Sequence, residues 1–224
     1  MVTEIKERLE QLREELPASV KLVAVSKFHP VEVIRAAYDA GQRLFGESRV
    51  QEMVAKHDAL PKDIEWHFIG HLQPNKVKYI APFVHLIHAV DSLKLLAEID
   101  KQARRCDRVI PCLLQLHVAA EETKFGFSVE ECDALLSSGE WRSLHHVSIA
   151  GMMCMATNTD DQERIRHDFH EAYMFYKHAK KEYFAQSPEF CIRSWGMSHD
   201  FPLAVAEGAT MVRVGTRIFG NREY

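Results

Sequence analysis

Two residues at opposite ends of this 224-residue chain carry the chemistry that its sequence offers most plainly, and the first is Lys27. It follows the apolar run Lys21-Leu-Val-Ala-Val-Ser26, where a buried strand gives way to the loop Phe28-His29-Pro30. An amine at the mouth of an apolar scaffold gives up its proton more readily than one in water, and the neutral amine attacks carbonyls. A lysine there can equally lay its stem along the apolar wall and put its charge in water. The second residue is Arg213, in the run Met211-Val-Arg-Val214 that otherwise reads as a core strand. A buried guanidinium needs a partner, because an unpaired charge in the interior is very costly. A carboxylate in a structural salt bridge would serve, and so would the nitrogen of a bound pyridine. An arginine at that nitrogen keeps it unprotonated and weakens the ring as an electron sink.

Two glycine turns lie nearby in sequence, Gly196-Met197-Ser198 and Gly215-Thr216, each after a short strand. Backbone N–H groups at such turns bind phosphate, helped by serine or threonine hydroxyls, although ordinary caps and turns use glycine just as often. An amine for an aldehyde, a donor for a ring nitrogen and two phosphate turns describe an aldehyde-bearing phosphate, with pyridoxal phosphate as the candidate. The segment Trp66-His-Phe-Ile-Gly-His-Leu-Gln-Pro-Asn-Lys76 adds His71, Gln73 and Asn75 as rim residues for a ligand. Met152 and Met155 are further candidates for contact with it, though methionines at such places are commonly core filler. His67 and His71 are four apart but are separated by a strand end and a glycine, not set on a helix face, so no metal site is expected. His85, His88, His145 and His146 read as strand-end or surface residues. No G-x-S-x-G, Walker loop or G-x-G-x-x-G is present.

The elements that must position these groups alternate. Val2, Ile5, Leu9, Leu12 and Leu16 paint one face of an opening helix that Pro17 stops. Strands are predicted at 21–26, 43–45, 65–69, 84–89, 109–116, 145–150, 191–194 and 210–214. Helices are predicted between them, at 30–40, 47–59, 75–81, 92–105, 128–137, 160–184 and 199–207. Eight strands separated by helices favour a closed (β/α)8 TIM-type barrel over an open doubly wound sheet. Closure sets the first strand beside the last, which brings Lys27 and Arg213 to one carboxyl rim, where barrel active sites lie. Too few residues follow Val214 for a full eighth helix, so the helix at 2–16 is expected to cover that gap. One barrel domain over residues 1–224 is the expectation.

Composition narrows the classes. An apolar fraction of 46% and a charged fraction of 27% belong to an ordinary globular chain. A net charge of -4 offers no basic field for nucleic acid. Five cysteines, odd in number and without a C-x-x-C pair, signal neither a disulfide framework nor a zinc knuckle. Cys154 has no recognisable base and reads as a buried thiol. The charged start and the lack of a long apolar stretch predict a cytoplasmic protein outside the membrane.

Several segments together resemble the pyridoxal phosphate homeostasis family, small single-barrel relatives of the alanine racemase N-terminal domain. They are Ala24-Val-Ser-Lys27, Phe45-Gly-Glu47, Val50-Gln-Glu52, Trp66 to Lys76, Val90-Asp-Ser92, Lys124-Phe-Gly126, Gly151-Met-Met153, Gly196-Met-Ser198 with Asp200, and Val212-Arg-Val-Gly-Thr216 with Ile218-Phe-Gly220. The resemblance implies that Lys27 carries the cofactor as an aldimine, that Arg213 faces the pyridine nitrogen, and that Ser198, Gly215 and Thr216 bind phosphate. It implies a protein of intracellular vitamin B6 homeostasis without strong catalysis of its own, a monomer or weak dimer that meets apo-enzymes transiently. Two departures are visible: Ser48-Arg49 stand where the family usually has Asn-Tyr, and Arg193 and Trp195 replace the usual leucine and methionine. Both changes are expected to border the pocket. An amino-acid racemase using the same cofactor is the alternative, although racemases add a second domain and a tyrosine base for which a chain ending at Tyr224 has no room. A cofactor-free Schiff-base aldolase on the same barrel is a third reading.

Overall fold

The computed structural model describes residues 2–121 and 125–220. Lys124 of the Lys124-Phe-Gly126 segment and the terminal Tyr224 lie outside the described residues. Eight parallel strands close into a barrel in chain order: β1 (Lys21–Val25), β2 (Leu44–Glu47), β3 (Glu65–Phe68), β4 (Leu86–Val90), β5 (Ile110–Leu116), β6 (Val147–Cys154), β7 (Ile192–Ser194) and β8 (Met211–Val214). The open-sheet alternative is excluded by the parallel pairing of β8 with β1, in which Val23 lies opposite Arg213 and Ala24 opposite Val214.

Each strand follows a period of two, and the two faces meet different layers. On β1, Leu22 and Ala24 join the large cluster between the strands and the helices, whereas Val23 joins Leu86, Ala89, Leu113, Ala150, Met153 and Met211 inside the barrel. The helices α1 (Val2–Glu15), α2 (Val31–Asp39), α3 (Val50–Ala59), α4 (Val77–Ile80), α5 (Leu93–Arg105), α6 (Val129–Ser138), α7 (Gln162–Glu182) and α8 (Phe201–Ala206) surround the strands, and α9 (Thr216–Phe219) follows β8. Start signals are local. Ser92 and Ser128 cap α5 and α6 with their hydroxyls, and Glu131 completes a capping box with Ser128.

The expected cover of the seam between β8 and β1 by the opening helix is present. Helix α1 buries Ile5, Leu9 and Leu12 and packs against both α2 and α9. The Arg217 guanidinium reaches back to both oxygens of Glu15, at 2.6 and 2.9 Å. That pair is partly exposed, so its contribution is small beside the apolar burial under α1.

Strand β6 runs four residues beyond its predicted end. Ala150 forms a bulge there: Cys112 pairs with Ile149 and Leu113 with Gly151. Gly151 takes φ +150°, and a Cβ on it would lie 1.9 Å from the carbonyl oxygen of Ile192. The glycine that looks like a strand terminator is the residue that lets two backbones touch. Gly151→Ala is therefore expected to destabilise the fold by about 3 kcal/mol, read from urea unfolding. An unchanged midpoint would show that the β6–β7 contact is not built this closely.

Candidate functional site

Barrel closure delivers Lys27 and Arg213 to one cavity of about 230 Å³ at the carboxyl rim. Lys27, Met197, Ser198, Arg213, Gly215 and Thr216 all line it, together with Val25, Ile69, Met155 and His199. A larger hollow, about 430 Å³, lies beside α1 and is lined by Arg13, Pro17 and Leu44 among others. Chemistry, not size, selects the site: only the smaller one joins a lysine to a buried guanidinium and a glycine turn.

Arg213 is almost wholly buried, and its partners are not carboxylates. Nη1 donates to the carbonyl and the hydroxyl of Ser194 at 2.6 and 2.7 Å, and Nη2 donates to the Cys154 carbonyl at 3.0 Å. No carboxylate forms an ion pair with it among the described residues. Burial pulls its pKa below the usual arginine range, with Cys154 and Asp200 opposing that pull. The guanidinium is thus held as a fixed cation whose charge no protein anion neutralises directly, which suits an acceptor supplied by a ligand.

Behind Arg213 runs a line of buried polar groups. Ser194 Oγ lies 2.9 Å from His88 Nδ1, and His88 Nε2 lies 2.8 Å from His67 Nδ1. Both histidines are inside the barrel, which corrects the expectation that His88 is a strand-end or surface residue. Period two turns it inward. Burial drives His67 down to about 3 and His88 well below its ordinary value, so both rings are neutral.

The backbone around Lys27 is fixed from both sides by a second buried network. Ser26 Oγ donates to Glu47 Oε1 at 2.5 Å, and Lys56 Nζ donates to the same oxygen at 2.8 Å. Lys56 also donates to the Ser26 carbonyl, at 2.8 Å, and to Glu52 Oε1, at 2.6 Å. Glu52 Oε1 in turn accepts from the Phe28 N–H at 2.5 Å. Phe28 itself takes a left-handed φ of 69°, a strained conformation for an aromatic residue that this clamp holds in place. Glu47, Lys56 and Glu52 belong to no motif that marks them as a network in the sequence. A signal existed, because Lys56 falls three residues after Met53 on the buried face of α3. Burial lifts the Glu47 carboxyl to about 7 against the pull of Lys56 and Ser26.

At the glycine turns, the Gly215 N–H donates to Ser198 Oγ at 3.2 Å, and the Met197 N–H donates to Asp200 Oδ1 at 2.5 Å. The first bond joins the two turns, and the second fixes the Gly196 turn internally. A Cβ on Gly215 would stand 3.1 Å from the Val25 carbonyl oxygen, tighter than ordinary contact, so a larger residue would push the turn away from β1 by a few tenths of an ångström.

Two other predicted contacts lie elsewhere. Met152 is fully buried in the layer between strands and helices, whereas Met153 faces the barrel interior and Met155 the cavity. The odd and even positions of β6 point to opposite faces, and the bulge places Met152 on the outer one. His71 lines a separate hollow with Ser48, Arg49, Gln73 and Lys76, its Nδ1 3.0 Å from Asp91 Oδ2 and its ring stacked on Phe125. The sequence departures do not line the cavity either. Arg49 lies over the Phe28 ring, 4.7 Å from its centre, beside Lys27. Trp195 is buried in the outer layer, and Arg193 packs against Tyr176 while its Nε donates to the Gly208 carbonyl. Cys154 is buried, and burial raises its thiol far above the reactive range.

Comparison with known proteins agrees with this architecture. The family model described as alanine racemase, N-terminal domain, matches residues 2–223. The pyridoxal phosphate homeostasis protein of Aquifex aeolicus is 41% identical over 205 residues, covering 91% of this chain and 88% of that one. Its counterpart in Vibrio alginolyticus is 37% identical over 213 residues, covering 93% and 89%. The structure of PipY from Synechococcus elongatus, solved with PLP bound, is 40% identical with a TM-score of 0.85, covering 96% of this chain and 100% of that one. An alanine racemase of Clostridium difficile is 15% identical with a TM-score of 0.80, and this chain covers 99% of itself but 58% of that enzyme; the likeness is one of fold.

The buried Glu47 gives a pH test of the clamp around Lys27. Its folded pKa of about 7 lies above the ordinary 4.5, so between those values the folded protein keeps a proton that the unfolded chain has released. Its contribution to stability is fully present below pH 4.5 and is lost as pH rises through about 7. Thermal unfolding of wild type and Glu47→Gln from pH 4.5 to 7.5 is expected to show wild type falling relative to the variant. Parallel profiles would mean that Glu47 titrates alike in both states.

Proposed function

Since the chain belongs to the alanine racemase N-terminal domain family, among its pyridoxal phosphate homeostasis proteins, we propose that it binds pyridoxal 5′-phosphate in the Lys27 cavity and holds it for intracellular homeostasis of that cofactor. The observation that carries this reading is the meeting of Lys27, Arg213 and the Ser198–Gly215–Thr216 turns around one small cavity. The residues fit the group: an amine for its aldehyde, a buried cation without a carboxylate partner for its ring nitrogen, and a close glycine turn for its phosphate. When bound, the cofactor supplies an aldehyde that an amine can join covalently and a ring that can take up electrons.

The roles divide along the cavity wall. Lys27 Nζ anchors the ligand covalently, its backbone held at Ser26 and Phe28 by the Lys56–Glu47–Glu52 clamp. Arg213 would be the residue to hold the ring nitrogen, and a guanidinium there would keep it unprotonated and limit the ring as an electron sink, which suits a holder better than a catalyst. Ser198, Gly215 and Thr216 bind the phosphate at the rim. Met197 and Met155 supply apolar wall. The chain works as one barrel domain in the cytoplasm, a monomer or weak dimer that hands cofactor to apo-enzymes through transient contacts. No helix among the described residues is long and apolar enough to cross a membrane.

One observation favours weak racemase chemistry as a second reading. His199 lines the cavity, with Nε2 3.3 Å from Asp200 Oδ2, so a second proton-transfer group stands near Lys27. No tyrosine lines the cavity among the described residues. Incubation of the loaded protein with single-enantiomer amino acids separates the readings: negligible turnover is expected, and sustained inversion would establish the racemase.

The purified protein is expected to be yellow, and borohydride is expected to fix the chromophore on the peptide containing Lys27. Lys27→Ala should abolish the colour and the covalent adduct while retaining weaker, phosphate-anchored binding in equilibrium dialysis. A variant as yellow as wild type would contradict the assignment of Lys27.

A further inference from the structure

The amino-terminal mouth of the barrel, opposite the Lys27 cavity, gathers a carboxylate and two imidazoles. Glu65 opens β3, His67 follows two residues later, and His85 immediately precedes β4, the neighbouring strand. One ligating atom from each of the three lies within 4.8 Å of those from the other two. Glu65 Oε2 stands 3.3 Å from His85 Nε2, and the His67 and His85 rings lie nearly parallel with centres 5.6 Å apart.

His67 makes this more than a surface cluster. It is 1% exposed, its Nδ1 is bonded to His88, and its Nε2 is buried without a hydrogen-bond partner. A buried polar atom left unpartnered is unfavourable, and natural structures rarely tolerate one without a function. With Nδ1 engaged toward the barrel interior, Nε2 is the nitrogen left to face Glu65 and His85. A histidine fixed by a hydrogen bond at one nitrogen and bare at the other is how proteins present metal ligands.

We propose that Glu65, His67 Nε2 and His85 form a binding site for one divalent transition-metal ion of the zinc class. Two imidazoles and a carboxylate suit that class, leaving one tetrahedral position for water. The Glu65 and His85 side chains are partly exposed, so a rotamer change in either meets little packing as it closes on the buried His67 ring. An ion at His67 Nε2 requires the proton on Nδ1, which then donates to His88 Nε2. His88 Nδ1 donates in turn to Ser194 Oγ, the hydroxyl that also accepts from Arg213. The ion thereby sets the direction of a hydrogen-bond line that ends at the cofactor cavity.

Titration of the full-length protein with Zn2+ by calorimetry, and with Co2+ by visible absorption, tests the site independently of any cofactor. Wild type is expected to take up one equivalent of either ion, with Co2+ giving the intense bands of tetrahedral coordination. His85→Ala and Glu65→Gln, both at accessible positions that leave the core intact, should each weaken binding by more than the ~100-fold that loss of an outer-shell partner costs. Uptake of no ion by wild type would overturn the proposal, and so would binding unchanged in both ligand variants, which would place the ion on other exposed histidines.

Discussion

The parallel pairing of β8 with β1 is the constraint on which the site depends. Val23 opposite Arg213 and Ala24 opposite Val214 set the register, and that register puts the guanidinium below the loop that carries Lys27. Nothing local in either segment would bring the two together. The apolar layer under α1 supports the pairing from outside, where α1 packs against α9, the short helix that follows β8. A barrel of this kind has no free edge, so the two residues meet as a consequence of closure and need no long connection of their own.

Two buried polar systems then turn proximity into geometry. One holds Arg213 through the carbonyls of Ser194 and Cys154 and continues through Ser194 Oγ to His88 and His67. The other holds the backbone on both sides of Lys27 through Glu47, Lys56 and Glu52. Buried charge is costly, and each system meets the cost with short hydrogen bonds instead of solvent. They act at different places: the first orients a cation, and the second holds a strained turn. The absence of a carboxylate ion pair at Arg213, among the described residues, leaves its charge directed at the cavity.

Much of the fold was legible in the sequence, because strands such as β1, β4 and β5 are apolar runs bounded by turn residues and helices such as α1, α2 and α5 carry an apolar face. The predicted strand positions overlap all eight observed strands. Strand β6 was cut short because Gly151 reads locally as a breaker, and only its approach to Ile192, a contact distant in sequence, shows why glycine continues the strand. The same bulge reverses the parity of the residues after it, which is why Met152 faces outward. His88 was read as peripheral because period two cannot say which face of a buried strand is the barrel interior. Arg193 and Trp195 flank Ser194, whose hydroxyl turns inward to Arg213 and His88, so their own side chains turn outward, away from the pocket. Lys56 stayed hidden because its partners, Ser26 and Glu47, come from other elements.

The central claim is that Lys27 and Arg213 act on a single bound ring, and nitrogen NMR addresses it most directly. With 15N placed in the lysine side chains and in the pyridine nitrogen of added pyridoxal phosphate, one adduct should show both a lysine nitrogen bonded to the ligand and a ring nitrogen with the shift of an unprotonated pyridine. Arg213→Glu should move that ring signal to the protonated position while the lysine signal persists. A protonated ring nitrogen in the wild-type protein, or a ring signal indifferent to residue 213, would contradict the convergence of the two groups.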